Sequence, residues 1–148
     1  MVRKLRVEYP GAIYHVMNRG DHREAIYRDD TDRQRFLETV AEGCVKTGWH
    51  IHAFCLMGNH FHLMVETPQG NLVAGMKWFL GVYTSRFNRR HQLFGHLFSG
   101  RYKALVVDGG GHGYLKTVSM GTRGHLTHLL YRHERTAAPD PPQTQLWK

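Results

Sequence analysis

The sequence predicts an α+β domain in the ferredoxin-like βαββαβ order: a four-stranded antiparallel sheet with two helices on one face and a histidine pair on the other. Three observations carry this expectation. Four short segments are β-rich or alternate between apolar and polar residues, and two longer segments place apolar residues at helical spacing. Two of the strand-like runs are separated only by Gly58-Asn59, a hairpin turn signal. Along the chain the order is strand, helix, strand, strand, helix, strand, the split pattern with both helices on one side of the sheet.

Ala12–Met17 (AIYHVM) reads as the first strand, ended by the turn signal Asn18-Arg19-Gly20. Asp29-Asp30-Thr31-Asp32 supplies N-cap residues and early-helix acid, and Phe36, Leu37, Val40, Cys44 and Val45 follow at helical spacing. The first helix is therefore placed at about 31–46 and stopped by Gly48. Trp49–Met57 (WHIHAFCLM) and His60–Thr67 (HFHLMVET) are strands two and three, paired through Gly58-Asn59. Pro68-Gln69-Gly70-Asn71 breaks that pattern and caps a second helix. Its apolar stripe is Leu72, Met76, Phe79, Leu80, Tyr83 and Phe87, and its last turns gather Arg86, Arg89 and Arg90. Arg101–Asp108 (RYKALVVD) is the fourth strand. Half of the 16 glycines fall between Gly95 and Gly124, and Gly109-Gly110-Gly111 reads as a joint before a weakly helical stretch, Tyr114–Tyr131, that could cover the open face of the sheet. The domain is expected to span 5–131, with 132–148 a disordered tail in which Ala137–Lys148 holds three of the five prolines.

Composition narrows the function classes. A chain of 148 residues with 41% hydrophobic content is one domain's worth of sequence, and no stretch approaches the roughly 20 apolar residues of a membrane helix. The N-terminal residues lack the continuous apolar core of a signal peptide, and two cysteines, Cys44 and Cys55, cannot make a disulfide scaffold. Buried thiols in a reducing cytoplasm are expected. The formal charge of +8 is unevenly placed: residues 1–66 carry nine Lys/Arg and nine Asp/Glu, whereas 67–107 carry no acid and six cations, Lys77, Arg86, Arg89, Arg90, Arg101 and Lys103. A localised basic stretch suits a polyanionic partner, because Lys and Arg on phosphates release counterions.

The hairpin register gives the histidines their meaning. A turn at Gly58-Asn59 opposes Met57 to His60, Cys55 to His62, Ala53 to Met64 and Ile51 to Glu66. One face then holds Phe54, Leu56, Phe61, Leu63 and Val65, a core face for the helices. His60 and His62 project side by side from the other, the geometry of a two-histidine metal platform. The same register puts His50 and His52 on the core side, where they are read as structural. Alone, His-x-His is a weak signal in a chain with 12 histidines. Zinc would recruit Cys55 across from His62, but the chain lacks the short-spaced cysteines of a closed zinc site.

Four segments together, Tyr14–Gly20 (YHVMNRG), Gly48–Pro68 (GWHIHAFCLMGNHFHLMVETP), Phe87–His91 (FNRRH) and Gly95–Ala104 (GHLFSGRYKA), resemble the single-tyrosine HUH transposases, and most closely the REP-associated tyrosine transposases. The resemblance covers about residues 5–118 in order. It implies a protein that acts on single-stranded or hairpin DNA, with His60 and His62 holding Mg²⁺ or Mn²⁺ as a Lewis acid on the scissile phosphate. It further implies a tyrosine, on a helix after the fourth strand, that attacks to leave a 5′-phosphotyrosine bond and a 3′-hydroxyl. There the chain departs from the family. The usual helix carries Asp-Tyr, three residues, then Asn-Pro; here Tyr114–Ser119 matches its start, the nucleophile position reads Gly121, and no Asn follows Asn88.

Tyr131 is the one tyrosine downstream of that point and the remaining candidate nucleophile, Tyr114 being read as a packing residue. The alternative to an active transposase is a catalytically dead, nucleic-acid-binding remnant of one. Arg19, Arg86, Arg89, Arg90, Arg101 and Lys103 are the expected DNA contacts, with Trp78, Tyr83 and Tyr102 available for packing or base stacking, and packing favoured for the first two. A cytoplasmic protein with no membrane partner is expected, with a homodimer left open. An RRM-like sheet binder is disfavoured by histidines where an aromatic-rich strand would stand; a hydrolase activating water at the histidine pair is a third reading.

Overall fold

The computed structural model describes residues 5–107 and the backbone of the strand His128–Leu130. Its elements are β1 (Ala12–Arg19), α1 (Asp30–Thr47), β2 (His50–Met57), β3 (His60–Thr67), α2 (Leu72–His91), β4 (Lys103–Val106) and β5 (His128–Leu130), in one antiparallel sheet of order β4-β1-β3-β2-β5. The first six reproduce the expected βαββαβ order. β5 adds a fifth, edge strand beside β2, within the stretch the sequence suggested was helical. The triple glycine, the remainder of that stretch, Tyr131 and the tail lie outside the described residues. No helix among the described residues is long and apolar enough to cross a membrane.

Local chemistry sets the helix ends. Asp29 caps α1 by accepting from the Asp32 amide at 2.9 Å, and Gly48, at φ 74°, closes it with a bond from its N–H to the Cys44 carbonyl. Asn71 precedes α2 but makes no side-chain cap; its Oδ1 accepts from Trp49 Nε1 at 3.0 Å and its Nδ2 donates to the Thr47 carbonyl at 2.9 Å, tying the two helix–strand junctions together. Both helices pack on one face of the sheet. The core there holds Tyr14, Val16, Phe36, Leu56, Phe61, Leu63, Met76, Phe79 and Tyr83. Phe36 is its centre, with the rings of Tyr27, Phe61, Phe79 and Tyr83 at centroid distances of 5.0–5.3 Å.

Three expectations about the strands need correction. β1 runs on to Arg19, because Asn18 and Arg19 continue the ladder opposite Phe61 and His60 and the turn begins only at Gly20. β4 is shorter than 101–108: Tyr102 turns into the core, where the Arg6 guanidinium lies 3.7 Å from its ring centroid and donates to its carbonyl, so regular pairing starts at Lys103. The hairpin register holds from Met57/His60 to Ala53/Met64, but a β-bulge between Ile51 and Ala53 then shifts it, so that Ile51 opposes Val65 and His50 opposes Glu66. The bulge sends Ile51 to the core and brings His50 and His52 to Glu66, at 3.1 and 3.5 Å. Both histidines were expected on the core side.

Candidate functional site

β3 lies between β1 and β2, so its outward residues are the centre of the face opposite the helices. Alternation places His60, His62, Met64 and Glu66 there from β3, Ile13, His15, Met17 and Arg19 from β1, and Ala53, Cys55 and Met57 from β2. His60 opposes Arg19 on one side and Met57 on the other; His62 opposes Met17 and Cys55. His15 stands diagonally from His62. Its ring stacks on that of His62 at 5.1 Å and 12°, with Nε2 2.9 Å from His62 Nδ1. The rings of His60 and His62 lie 5.1 Å apart at 80°. His15 went unrecognised in the sequence as part of this group, although its period-two position in AIYHVM puts it on the same face once β1 is known to neighbour β3.

The turn that carries the pair is held from outside the hairpin. Gly20 N–H donates to the Asn59 carbonyl at 2.8 Å and Ile26 N–H to the Gly58 carbonyl at 3.1 Å. The Asn59 side chain donates through Nδ2 to the Arg23 carbonyl at 3.2 Å and presents Oδ1 to His60 Nδ1 at 2.7 Å. Burial lowers the pKa of all three histidines. Desolvation is the largest cause for each; Arg19 adds to it at His60, and the neighbouring imidazoles at His62, which falls to about 4. Three neutral imidazoles therefore stand on this face at neutral pH. Burial also raises both thiols, Cys44 to about 11, so neither is a ready thiolate. Among the described residues no three His, Cys, Asp or Glu side chains are grouped to hold a metal ion.

The structure divides the six predicted DNA contacts. Arg19 is exposed on the histidine face, and Lys103 is exposed on β4 opposite Met17, whose side chain points the same way. Arg101 is exposed just before β4, and Arg89 is exposed on α2. Arg86 and Arg90, in contrast, are committed to α1. Arg86 makes a bidentate pair with Glu42 at 2.8 and 3.1 Å and donates to Thr39 Oγ1 at 2.9 Å. Arg90 grips Asp29 through two bonds of 2.7 Å and the buried Asp32 at 2.8 Å, holding the Asp29 carboxyl at a pKa of about 2. Tyr131, the candidate nucleophile, lies outside the described residues.

Trp78 and Tyr83 take the packing role favoured for them, and Tyr102 packs as well. Tyr83 and Tyr102 are buried and Trp78 packs on the core edge. Among the described residues the most exposed aromatic is Phe94, 98% accessible, in the loop after α2. That loop is fastened at the hairpin end of the sheet: Asn88 Nδ2 donates to the Gly95 carbonyl at 2.9 Å, Asp21 N–H to the Leu97 carbonyl at 2.8 Å, and Ser99 N–H to the Arg19 carbonyl at 2.8 Å. Its sequence signal was its place outside the helical stripe.

Comparison with known proteins bears on this arrangement. The family model described as "Transposase IS200 like" matches residues 8–119. The chain is similar in structure to a REP-associated tyrosine transposase bound to a REP hairpin, with a TM-score of 0.61 and 12% identity over 84% of this chain and 78% of that one. It is also similar to a Deinococcus radiodurans protein assigned as a transposase, with a TM-score of 0.56 and 17% identity over 80% of this chain and 96% of that one. No curated protein matches.

Proposed function

The chain belongs to the IS200-like transposase family, and we propose that it binds single-stranded or hairpin DNA across the histidine face of its sheet and, where a tyrosine reaches that face, cleaves and rejoins the strand. The observation that carries this reading is the joint placement of His60, His62 and Arg19 at one end of that face, with Lys103 on the same side. Its residues fit the nitrogen half of a divalent-cation site: adjacent, neutral imidazoles beside a rigid turn. His60 and His62 would hold the ion, with its other ligands supplied by phosphate, water or residues beyond those described. Neither Mg²⁺ nor Mn²⁺ favours imidazole over oxygen, so the choice between them follows the family resemblance. When bound, the cation supplies Lewis-acid polarisation of the scissile phosphate.

The chain's own groups have separable tasks in this reading. Arg19 contacts backbone phosphate beside the histidines, Lys103 and Arg101 extend that contact along β4, and Phe94 stacks on an unpaired base at the hairpin end. Tyr131 is the proposed nucleophile of an active protein; the alternative is a DNA-binding remnant that forms no covalent bond to DNA. The test is incubation of the full chain with labelled hairpin DNA and Mn²⁺, followed by a denaturing gel. A covalent adduct that disappears in Tyr131→Phe and in His60→Ala establishes the transposase; retained binding without an adduct establishes the remnant. Cleavage without an adduct establishes a water-using hydrolase, and failure to bind DNA at low salt overturns the nucleic-acid reading.

A further inference from the structure

Two side chains outside the His-x-His pair touch it through ring nitrogens, and both contacts decide which nitrogen of each histidine carries the proton. A neutral imidazole bears one N–H and one lone pair, and only the lone pair can bind a cation. At His60 the assignment is set by Asn59. The Asn59 amide donates through Nδ2 to the Arg23 carbonyl, so the atom it turns toward His60 is Oδ1, an acceptor. His60 Nδ1 must then be the donor and Nε2 the lone pair. At His62, Nδ1 faces His15 Nε2 at 2.9 Å across stacked rings, and one of the two nitrogens donates. If His62 Nδ1 donates, its Nε2 matches that of His60; if His15 donates, His62 carries its proton on Nε2 and cannot bind there.

We propose that His15 and Asn59 are positioning residues that hold His62 and His60 in the Nδ1–H form, leaving both Nε2 lone pairs for the cation. The assignment at His60 follows from the contacts of Asn59, whereas that at His62, where either nitrogen could donate, rests on the metal reading above; both tautomers are properties of the metal-free protein. The backbone around Asn59 is built to keep its amide in place. Arg23, whose carbonyl orients Asn59, sits at φ 60° next to His22 at φ 52°, two consecutive left-handed residues without a glycine. Such a conformation persists only where its surroundings fix it, and the bonds from Arg23 N–H to Gly20 and from Glu24 N–H to Asp21 do so. Outer partners that fix the tautomer of a ligating histidine characteristically affect metal affinity 10- to 100-fold.

The experiment uses the full chain labelled with ¹⁵N-histidine, without metal, and reads each tautomer from long-range ¹H–¹⁵N correlations; Mn²⁺ affinity is measured separately by calorimetry. Both His60 and His62 are expected in the Nδ1–H form. His15→Phe keeps the stacked ring but no acceptor, so His62 should move toward the Nε2–H form and Mn²⁺ binding should weaken about 10- to 100-fold. His15→Gln, which returns an acceptor, should restore both. Asn59→Ala should do to His60 what His15→Phe does to His62, and Asn59→Asp should restore the Nδ1–H form, with thermal melts confirming that each variant folds. Nε2–H signals at His60 or His62 in the parent protein, or a His62 tautomer indifferent to His15→Phe, overturn the proposal. Correct tautomers in a protein that does not bind Mn²⁺ would sink the metal reading and leave the tautomer assignment intact.

Discussion

Gly20→Ala tests whether the turn under the histidines is as tightly held as its contacts indicate. A Cβ at this position would lie 2.1 Å from the Glu24 carbonyl oxygen and 3.1 Å from Ile26 Cγ2, where ordinary contact begins at 3.4 Å. The obstacle is backbone, so the segment after β1 must move by about 1 Å. That segment is bonded through Arg23 N–H to Gly20 and through Ile26 N–H to Gly58, and Ile26 is fully buried with its carbonyl accepting from the Tyr83 hydroxyl. Losing two backbone bonds at about 1 kcal/mol each, with about 1 kcal/mol of crowding around Ile26, gives a loss of about 3 kcal/mol. Urea unfolding of the full chain at pH 7.5 measures it. Gly58→Ala is the control, since nothing lies within 4 Å of a Cβ there. A change below about 0.5 kcal/mol for Gly20→Ala, the range of a neutral surface change, or equal losses in the two variants, would refute the clamp.

Other expectations follow from the same contacts. Because the folded pKa of His62 is about 4, below its ordinary 6.5, the unfolded chain takes up a proton first, and the metal-free protein is at full stability above pH 6.5 and loses stability as the pH falls toward 4. The whole shift corresponds to about 3 kcal/mol, reduced to about 1–2 kcal/mol by solvent screening; denaturant midpoints across that pH range should show the fall, and a flat profile identical to that of His62→Gln would contradict it. Arg19→Ala and Lys103→Ala should each flatten the logarithmic dependence of single-strand affinity on salt by about one unit. Arg90→Ala should instead lower the melting temperature and leave that slope alone, as filter binding over a salt series can show. Phe94→Ala should weaken single-strand binding by about 1–3 kcal/mol, read by fluorescence anisotropy, with an unchanged melting temperature because the ring is 98% exposed.

Much of this was legible in the sequence because it depends on local periodicity. Gly58-Asn59 fixed the turn, and through it the pairing of Cys55 with His62 and of Met57 with His60, so the two histidines could be placed on one face before any tertiary contact was known. Two kinds of feature were not legible. The bulge at Ile51–Ala53 inserts a residue without any glycine or proline to mark it, and it reverses the face on which His50 falls. The partners of Arg86, Arg90 and His62 depend on which elements become neighbours: 44, 58 and 47 residues separate Arg86 from Glu42, Arg90 from Asp32 and His62 from His15. Charge counting along the chain cannot see that the carboxylates of α1 lie against the arginines of α2.

That separation reassigns the net charge. The acid-free stretch 67–107 suggested a single basic surface, but two of its arginines are neutralised by acids from the balanced first part, on the helical side of the molecule. On the histidine side, the described cations Arg19 and Lys103 form no such carboxylate bonds, and the one acid of the His60–Glu66 run, Glu66, is turned to His50 and His52 at the far end of β3. A polyanion attracted by the overall charge is thus offered two uncommitted cations on the histidine face, Arg19 opposite His60 and Lys103 opposite Met17. In the proposed reading, the cations that would steer a strand and the histidines that would act on it lie on one face of the sheet.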